Sequence, residues 1–360
     1  MFFATFLTLA FAFASTAVAD PNKRTTDSLP VEPSAAANTF NSVTDLILTA
    51  TVSNNGAESI KVLKYGTILD GDLPTRSFTV TRDDKEVDFT GIKISVSLED
   101  ADESAYVTIP AGESVAVTHD VSALFDFAAA GKGAFTFTPI ITFQSVPLDE
   151  KVAARSQLTA IEAVSTPITI SITGDVAKVD MLSSRATDIC TTASKKSFID
   201  ASYTEAKSLA SIASSYVTSR GSSDYLYRAY WGSTATSRVI SILNAVANEN
   251  SSSRTLSCVD TFNFCSSGIL AYTVTDTTNI YYCSIFFNQV ATSELCHRTS
   301  VASRNVRGGT TLHELTHATS GTADFAYGCP DDQALSDSKK IQNADNFNCF
   351  TTQVYASTRC

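Results

Sequence analysis

The chain has 360 residues, 44% hydrophobic and 18% charged, with a formal net charge of −11. That composition excludes a disordered chain and leaves room for more than one hydrophobic core. No basic run stands ready to neutralise a phosphate backbone, so nucleic acid is excluded as a partner.

Phe2 to Val18 is apolar and small, and Ala17-Val18-Ala19 precedes Asp20 in the pattern of a cleaved export signal. Residues 1–19 are therefore expected to be a signal peptide, and the product to be secreted and extracellular. The run is short for a bilayer span, and no other stretch is long or apolar enough for one, so no membrane partner is expected. Lys23-Arg24 leads into a polar stretch with Pro30 and Pro33 that reads as a linker.

From about residue 45 to 173 the pattern predicts β-structure. Asp45–Val52, Ser59–Tyr65, Ser77–Arg82, Ile92–Leu98, Ser114–His119 and Ala134–Phe143 are short runs rich in Val, Ile, Thr and Phe, separated by turn residues. An antiparallel sandwich follows from that pattern. The segment has no cysteine and one histidine, His119, and no cluster of catalytic type. It reads as a folding or inhibitory pro-region covering residues 20–185.

The character changes near Arg185. From Ala186 onward there are 13 Lys/Arg against 14 Asp/Glu, so nearly all of the net negative charge lies upstream. All eight cysteines (190, 258, 265, 283, 296, 329, 349 and 360) lie downstream, the even number expected of a disulfide-bonded exported domain. Ser184-Arg185 offers a basic cleavage point, which makes residues 186–360 the mature domain. Helices are predicted over Ser197–Val217, over Tyr225–Ala247 with an interruption at Gly232, and over Ala334–Tyr355. A further helix is predicted over Thr311–Thr319, entered through Gly308-Gly309 with Thr310 or Thr311 as N-cap. Ile269–Phe287 alternates like a hairpin or small sheet.

The chemistry is carried by His313-Glu314-Leu315-Thr316-His317. Residues i and i+4 share a helix face, so both imidazoles can reach one metal ion, and Glu314 is placed to take a proton from water. The pattern alone is not decisive, but the mature half has only three histidines, and two of them form this pair. A catalytic zinc needs a third protein ligand. Downstream there is neither histidine nor glutamate. Among the aspartates, Asp324 is best placed because Gly321-Thr322 can turn the chain back, with Asp345 as the alternative. Asp331-Asp332 reads as the first turn of the next helix.

His313–His317 followed by Gly321-Thr322-Ala323-Asp324-Phe325-Ala326-Tyr327-Gly328 resembles the HExxH plus GTxDxxYG signature of the deuterolysin family (aspzincins), secreted fungal zinc endopeptidases made as preproenzymes. The resemblance covers the whole second half. It implies an α+β architecture, in which a β-sandwich-like pro-domain precedes a mainly helical, zincin-like catalytic domain with a small β-hairpin or sheet. It implies one Zn2+ per chain held by His313, His317 and Asp324, with Glu314 as general base. By the same likeness Tyr327 is a candidate donor to the oxyanion, and Asp345 a supporting or substrate-pocket acid. It pairs Cys190 with Cys258, Cys265 with Cys283 and Cys296 with Cys360, leaving Cys329 with Cys349.

One departure is that Phe286-Phe287 stands where the family often carries tyrosines. Tyr281 and Tyr282 are weaker substitutes. His297 and Trp231 read as a surface histidine and a core aromatic.

The expected function is hydrolysis of internal peptide bonds in extracellular proteins by a monomer. Its partners would be protein and peptide substrates, basic ones among them, and its own pro-domain. With no cysteine upstream, a thiolate cannot block the metal. The pro-domain is then expected either to cover the cleft, with His119 or an acid near the metal, or only to assist folding. One rival is an inactive zinc-binding homologue acting as a secreted binding protein, which the Phe286-Phe287 change motivates. Another is an adhesion protein in which the β-half does the work.

Overall fold

The computed structural model describes residues 29–148, 158–161, 163–179 and 190–360. The expected signal peptide, the Lys23-Arg24 pair and the Ser184-Arg185 cleavage point lie outside those residues.

The N-terminal half is built from β1 (Leu29–Ala35), β2 (Thr39–Ser42), β3 (Ile47–Ser53), β4 (Ile60–Leu63), β5 (Phe78–Arg82), β6 (Lys85–Glu86), β7 (Ile92–Val96), β8 (Tyr106–Ile109) and β9 (Ser114–Asp120). These are followed by the short helix α1 (Phe127–Ala130), β10 (Gly133–Pro139), β11 (Phe143–Val146), β12 (Thr159–Ile161), β13 (Ala163–Ser165) and β14 (Ile168–Asp175). They form three sheets, ordered β13-β1-β3-β9, β2-β14-β10-β5-β6 and β12-β11-β4-β8. Alternating residues such as Leu48, Ala50 and Val52 on β3 and Phe135 and Phe137 on β10 point into one shared core.

The stretch with Pro30 and Pro33, expected to be a linker, is instead strand β1. Its Leu29 and Val31 are fully buried, and each proline falls where only one neighbour is paired, Pro30 with β13 and Pro33 with β3, so each sits at a local edge where proline is tolerated. The run Ala134–Phe143 splits into β10 and β11, which belong to different sheets.

The C-terminal half contains α2 (Ala193–Arg220), α3 (Tyr225–Trp231), α4 (Thr236–Ala247), β15 (Leu256–Ser257), β16 (Ile269–Val274) and β17 (Ile280–Tyr282). It continues with α5 (Arg307–Ser320), α6 (Cys329–Ala334), α7 (Asp337–Lys340) and α8 (Ala344–Arg359). Helices α2, α4, α5 and α8 enclose a core with Trp231, Tyr227, Leu312, Leu315, Phe347 and Phe350. Disulfides join Cys190 to Cys258, Cys265 to Cys283, Cys296 to Cys360 and Cys329 to Cys349. Among the described residues no helix is long and apolar enough to cross a membrane.

Two helix expectations are corrected. α5 begins at Arg307, not Thr311, with Val306 as a cap lacking a side-chain bond. Gly308 and Gly309 are inside the helix because neighbours press on it. A Cβ at Gly308 would meet Thr292 Oγ1 at 2.6 Å, and one at Gly309 would meet Asn348 Oδ1 at 2.3 Å. The single helix expected over Ala334–Tyr355 is broken, because Gln342, Asn343 and Ala344 spend their polar groups on the loop that carries Asp324.

Strand β7 departs from its own half. It pairs antiparallel with β16 and completes the sheet β15-β17-β16-β7. Ile92, Ile94, Val96 and Leu98 enter a third core together with Ile269, Tyr272, Val274, Tyr281 and Tyr327 from the other half. At about 1.5–3 kcal/mol per buried aliphatic side chain, those four residues alone represent roughly 6–12 kcal/mol of transfer free energy, an upper bound. The two halves share a core, not a surface contact.

Candidate metal centre

Helix α5 buries Leu312 and Leu315 in the helical core and turns His313 and His317 to the opposite side, beneath the sheet edge. It ends at Gly321, whose left-handed conformation (φ 68°) returns the chain along the helix while its N–H donates to His317 O at 3.0 Å. His317 Nδ1 lies 2.8 Å from Thr322 O. Donating there fixes the tautomer and leaves Nε2 as the free electron pair. The next residue is pinned from both sides, because Ala323 N–H donates to Gln342 O at 2.6 Å and Ala344 N–H donates to Ala323 O at 2.9 Å. Asn343 Oδ1 accepts from Phe325 N–H at 2.8 Å. Asp324 has little freedom left.

The result is three ligand-type atoms facing one point. His313 Nε2 and His317 Nε2 are 3.1 Å apart, and Asp324 Oδ1 is 3.0 Å from the first and 3.2 Å from the second. Atoms held by bonds of about 2.0–2.1 Å at tetrahedral angles stand roughly 3.3 Å apart, so the spacing suits one small cation. Asp324 Oδ1 is buried and has no hydrogen-bond partner despite these neighbours. A carboxylate oxygen stranded between two imidazoles is what a cation would satisfy.

The charges are strongly coupled. Burial alone would raise Asp324, but His317 and His313 hold it well below the usual carboxylate range. Burial opposes a proton on His313, yet Asp324 and Asp345 carry it up to about 10, while burial takes His317 down to about 4. Glu314 is fully enclosed, and burial pushes it up to about 8. Its Oε2 accepts from Thr273 Oγ1 at 2.6 Å, while its Oε1 has no partner.

Tyr327, three residues past Asp324, is buried, and its ring stacks 6.4 Å from that of His313. Its Oη donates to Ile94 O at 3.1 Å, and the same carbonyl oxygen lies 3.2 Å from His313 Nε2. The phenol is therefore directed at a carbonyl beside the three-atom cage.

Asp345 lies on the first turn of α8. It is fully buried. Oδ1 pairs with Arg304 and stands 3.6 Å from His313 Nδ1, and Oδ2 accepts from Gly328 N–H at 2.7 Å. It ties down the loop at Gly328, and its distance to the His313 ring is longer than a hydrogen bond. Asp332, also fully buried, accepts from Asn343. His119 lies on β9, with Nε2 3.0 Å from Ile68 O, and packs on Phe78, so its ring is engaged by the N-terminal half. Phe286 and Phe287 pack on Phe198, and Phe286 on Tyr282 as well, so the missing hydroxyls are not at the cage. Tyr282 bonds Thr311 and Tyr281 stacks on Tyr272.

A model of the deuterolysin metalloprotease (M35) family matches residues 1–358. The chain belongs to that family. Like the rest of the deuterolysin family it is a metalloendopeptidase, and its substrates are proteins or peptides. A neutral protease 2 homolog of Sclerotinia sclerotiorum is 30% identical over 337 residues, covering 86% of this chain and 87% of the relative. Penicillolysin of Penicillium citrinum is 28% identical over 369 residues, covering 98% and 99%. A zinc peptidase from Grifola frondosa aligns with 45% of this chain and 96% of its own at 23% identity and a TM-score of 0.36.

Sequence reasoning missed several residues around this deuterolysin-family site. Thr273 holds Glu314 from a strand about forty positions upstream, and no local pattern announces it. Arg304 pairs with Asp345 inside the protein and sits in the left-handed region at φ 46°. Only the Gly-Thr step before Asp324 carried a hint, since Thr322 supplies both its carbonyl and its hydroxyl to His317 Nδ1.

Proposed function

We propose that this protein is a secreted zinc endopeptidase made as a precursor, acting as a monomer on extracellular proteins. One zinc per chain would be held by His313 Nε2, His317 Nε2 and Asp324 Oδ1. The observation that carries the reading is the set of donor separations of 3.0, 3.1 and 3.2 Å around an otherwise unpartnered Asp324 oxygen. The donor set is the nitrogen and carboxylate chemistry that zinc accepts. Bound there, zinc supplies a Lewis acid for the scissile carbonyl and brings the pKa of water to roughly 7.

The remaining work falls to protein groups. Glu314 Oε1 takes a proton from the attacking water and returns it to the departing amine, while Thr273 keeps the other carboxylate oxygen in place. Tyr327 Oη donates to the carbonyl oxygen as negative charge develops on it. Thr322 holds the His317 ring through Nδ1, and Asp345 sets a negative charge 3.6 Å from Nδ1 of His313. The N-terminal half serves as the pro-region, removed near Arg185. With Phe286 in the core and Phe287 packed against it, their lack of hydroxyls gives no reason to infer an inactive homologue.

The test is azocasein hydrolysis by the secreted protein, with metal analysis. Glu314→Gln should lower hydrolysis by about a thousandfold or more while zinc stays bound, and Asp324→Ala should lose the zinc. A secreted protein that hydrolyses casein equally well in chelator would overturn the proposal.

A further inference from the structure

The site is closed by the chain's own backbone. At Ile94 both polar groups of the strand face the cage: the N–H donates to Asp324 Oδ2 at 3.1 Å, and the carbonyl oxygen accepts from Tyr327 Oη at 3.1 Å beside His313 Nε2 at 3.2 Å. A tetrahedral catalytic zinc keeps one position open for water or substrate. Ile94 O stands where the scissile carbonyl oxygen of a substrate would be received.

The strand that delivers it is laid out like a bound peptide. β7 runs antiparallel along the edge of β16, with Ile92 opposite Val274, Lys93 opposite Thr273, Ile94 opposite Tyr272 and Ser95 opposite Ala271. Adding an extended strand to a sheet edge is a general mode of peptide recognition, since the main chain supplies affinity and alternate side chains supply selectivity. Ile92, Ile94 and Val96 face the shared apolar core, and Lys93 reaches the helix side, where Nζ donates to Gly321 O at 3.1 Å.

Both ends are fastened. Thr275 N–H and Oγ1 donate to Gly91 O at 3.1 and 2.7 Å, and Ser97 N–H donates to Gly268 O at 2.7 Å. Arg304 Nη1 also donates to Val96 O at 3.3 Å. A strand fastened at Gly91, Val96 and Ser97 does not rest there by chance.

We propose that residues 92–96 are a tethered pseudo-substrate that silences the precursor by occupying the edge of β16 with the Ile94 carbonyl at the catalytic position. The occupant is main chain. It is neither a thiolate nor an imidazole, and His119 takes no part. A substrate is then bound in the same direction and register: the residue giving up its carbonyl takes the place of Ile94 and the next takes the place of Ser95. This rests on the reading of His313, His317 and Asp324 as zinc ligands.

The test uses the full zinc-loaded chain carrying Glu314→Gln, so that no molecule processes another. Zinc transfer to the chromogenic chelator 4-(2-pyridylazo)resorcinol is timed in this parent, in Ile94→Pro, which lacks the N–H given to Asp324, and in Lys93→Glu, which sets a negative charge against Asp324. Hydrogen exchange at residues 47–53 and 114–120 reports whether the N-terminal core has folded, and exchange at 269–274 reports whether β16 is still covered. Transfer at least about tenfold faster in the folded variants, with faster exchange at 269–274, is expected, since a charge-assisted bond is lost. If Ile94→Pro does not fold, Lys93→Glu decides. Equal transfer rates in the parent and the folded variants overturn the proposal. Casein hydrolysis by the processed chain with Glu314 intact is measured separately. Its absence would count against the peptidase reading, while the zinc-transfer comparison would still judge the strand.

Discussion

Thr273 Oγ1 donates to Glu314 Oε2 at 2.6 Å, across the boundary between β16 and α5. It is the only hydrogen bond among the described residues that fixes the Glu314 carboxylate, since Oε1 has none. Thr273→Val keeps the shape and removes the donor. We expect kcat/KM to fall roughly tenfold through loss of orientation, with zinc content unchanged. Because Thr273 favours the ionised carboxylate, its loss should also move the acid limb of the pH profile to higher pH. An unchanged profile would mean that Thr273 serves packing alone.

Asp345 works on both sides. It pairs with Arg304 where neither side chain is exposed by more than 3%, and it faces His313 Nδ1 at 3.6 Å. Asp345→Asn should weaken zinc binding about 10–100-fold, the usual effect of losing an outer partner of a metal ligand. It should also cost about 3–5 kcal/mol by stranding a buried guanidinium. Adding Arg304→Met should recover much of the stability and none of the zinc affinity, which chelator competition and thermal unfolding can separate. Recovery of both would show that the carboxylate acts only on Arg304.

The i, i+4 spacing of His313 and His317 is local information, and a helix converts it directly into a shared face. Asp324 was legible almost as well, because Gly321 turns the chain within a few residues. What the sequence did not disclose is long-range. Ile92–Val96 reads as a strand from its alternation, but nothing in those residues says that its partner lies about 180 positions away on β16. The prolines of β1 masked a strand, because edge position is a property of the sheet. Gly308-Gly309 looked like a flexible entry to α5 when it is a close-packing surface against Thr292 and Asn348. The break between α7 and α8 was hidden for the same kind of reason, since its cause is the distant loop it holds.

That break can be tested at Asn343. Its side chain makes five hydrogen bonds, to the Phe325 and Ala326 N–H groups, Ala326 O, Asp332 Oδ1 and Asn346 Oδ1. Asn343→Ala removes all five in a buried region. At about 1–3 kcal/mol for each buried group left unsatisfied, a loss of roughly 3 kcal/mol or more is expected. Because these bonds set the loop after Asp324, zinc affinity should fall together with stability. A variant that loses stability yet binds zinc normally would show that Asp324 is positioned by Ala323 alone.

His119 and Asp70 give the N-terminal half opposing responses to acid. Burial pushes His119 down from 6.5 to about 4, and pushes Asp70 up from 3.8 to about 6. Between pH 6.5 and 4 the unfolded chain protonates His119 and the folded chain does not, so this term removes stability as pH falls. Between pH 6 and 4 the folded chain protonates Asp70 before the unfolded one does, so this term restores it. At about 1.4 kcal/mol per pH unit each spans roughly 3 kcal/mol, and the two nearly cancel. These two groups together should therefore contribute only a shallow pH dependence to urea unfolding over that range. His119→Phe should make the N-terminal half more stable at about pH 4.5 than at pH 6.5, and Asp70→Asn, which keeps an oxygen for the Leu73 N–H, should make it less stable there. Parallel slopes in the two variants would rule out this opposition and place the acid response elsewhere in the chain.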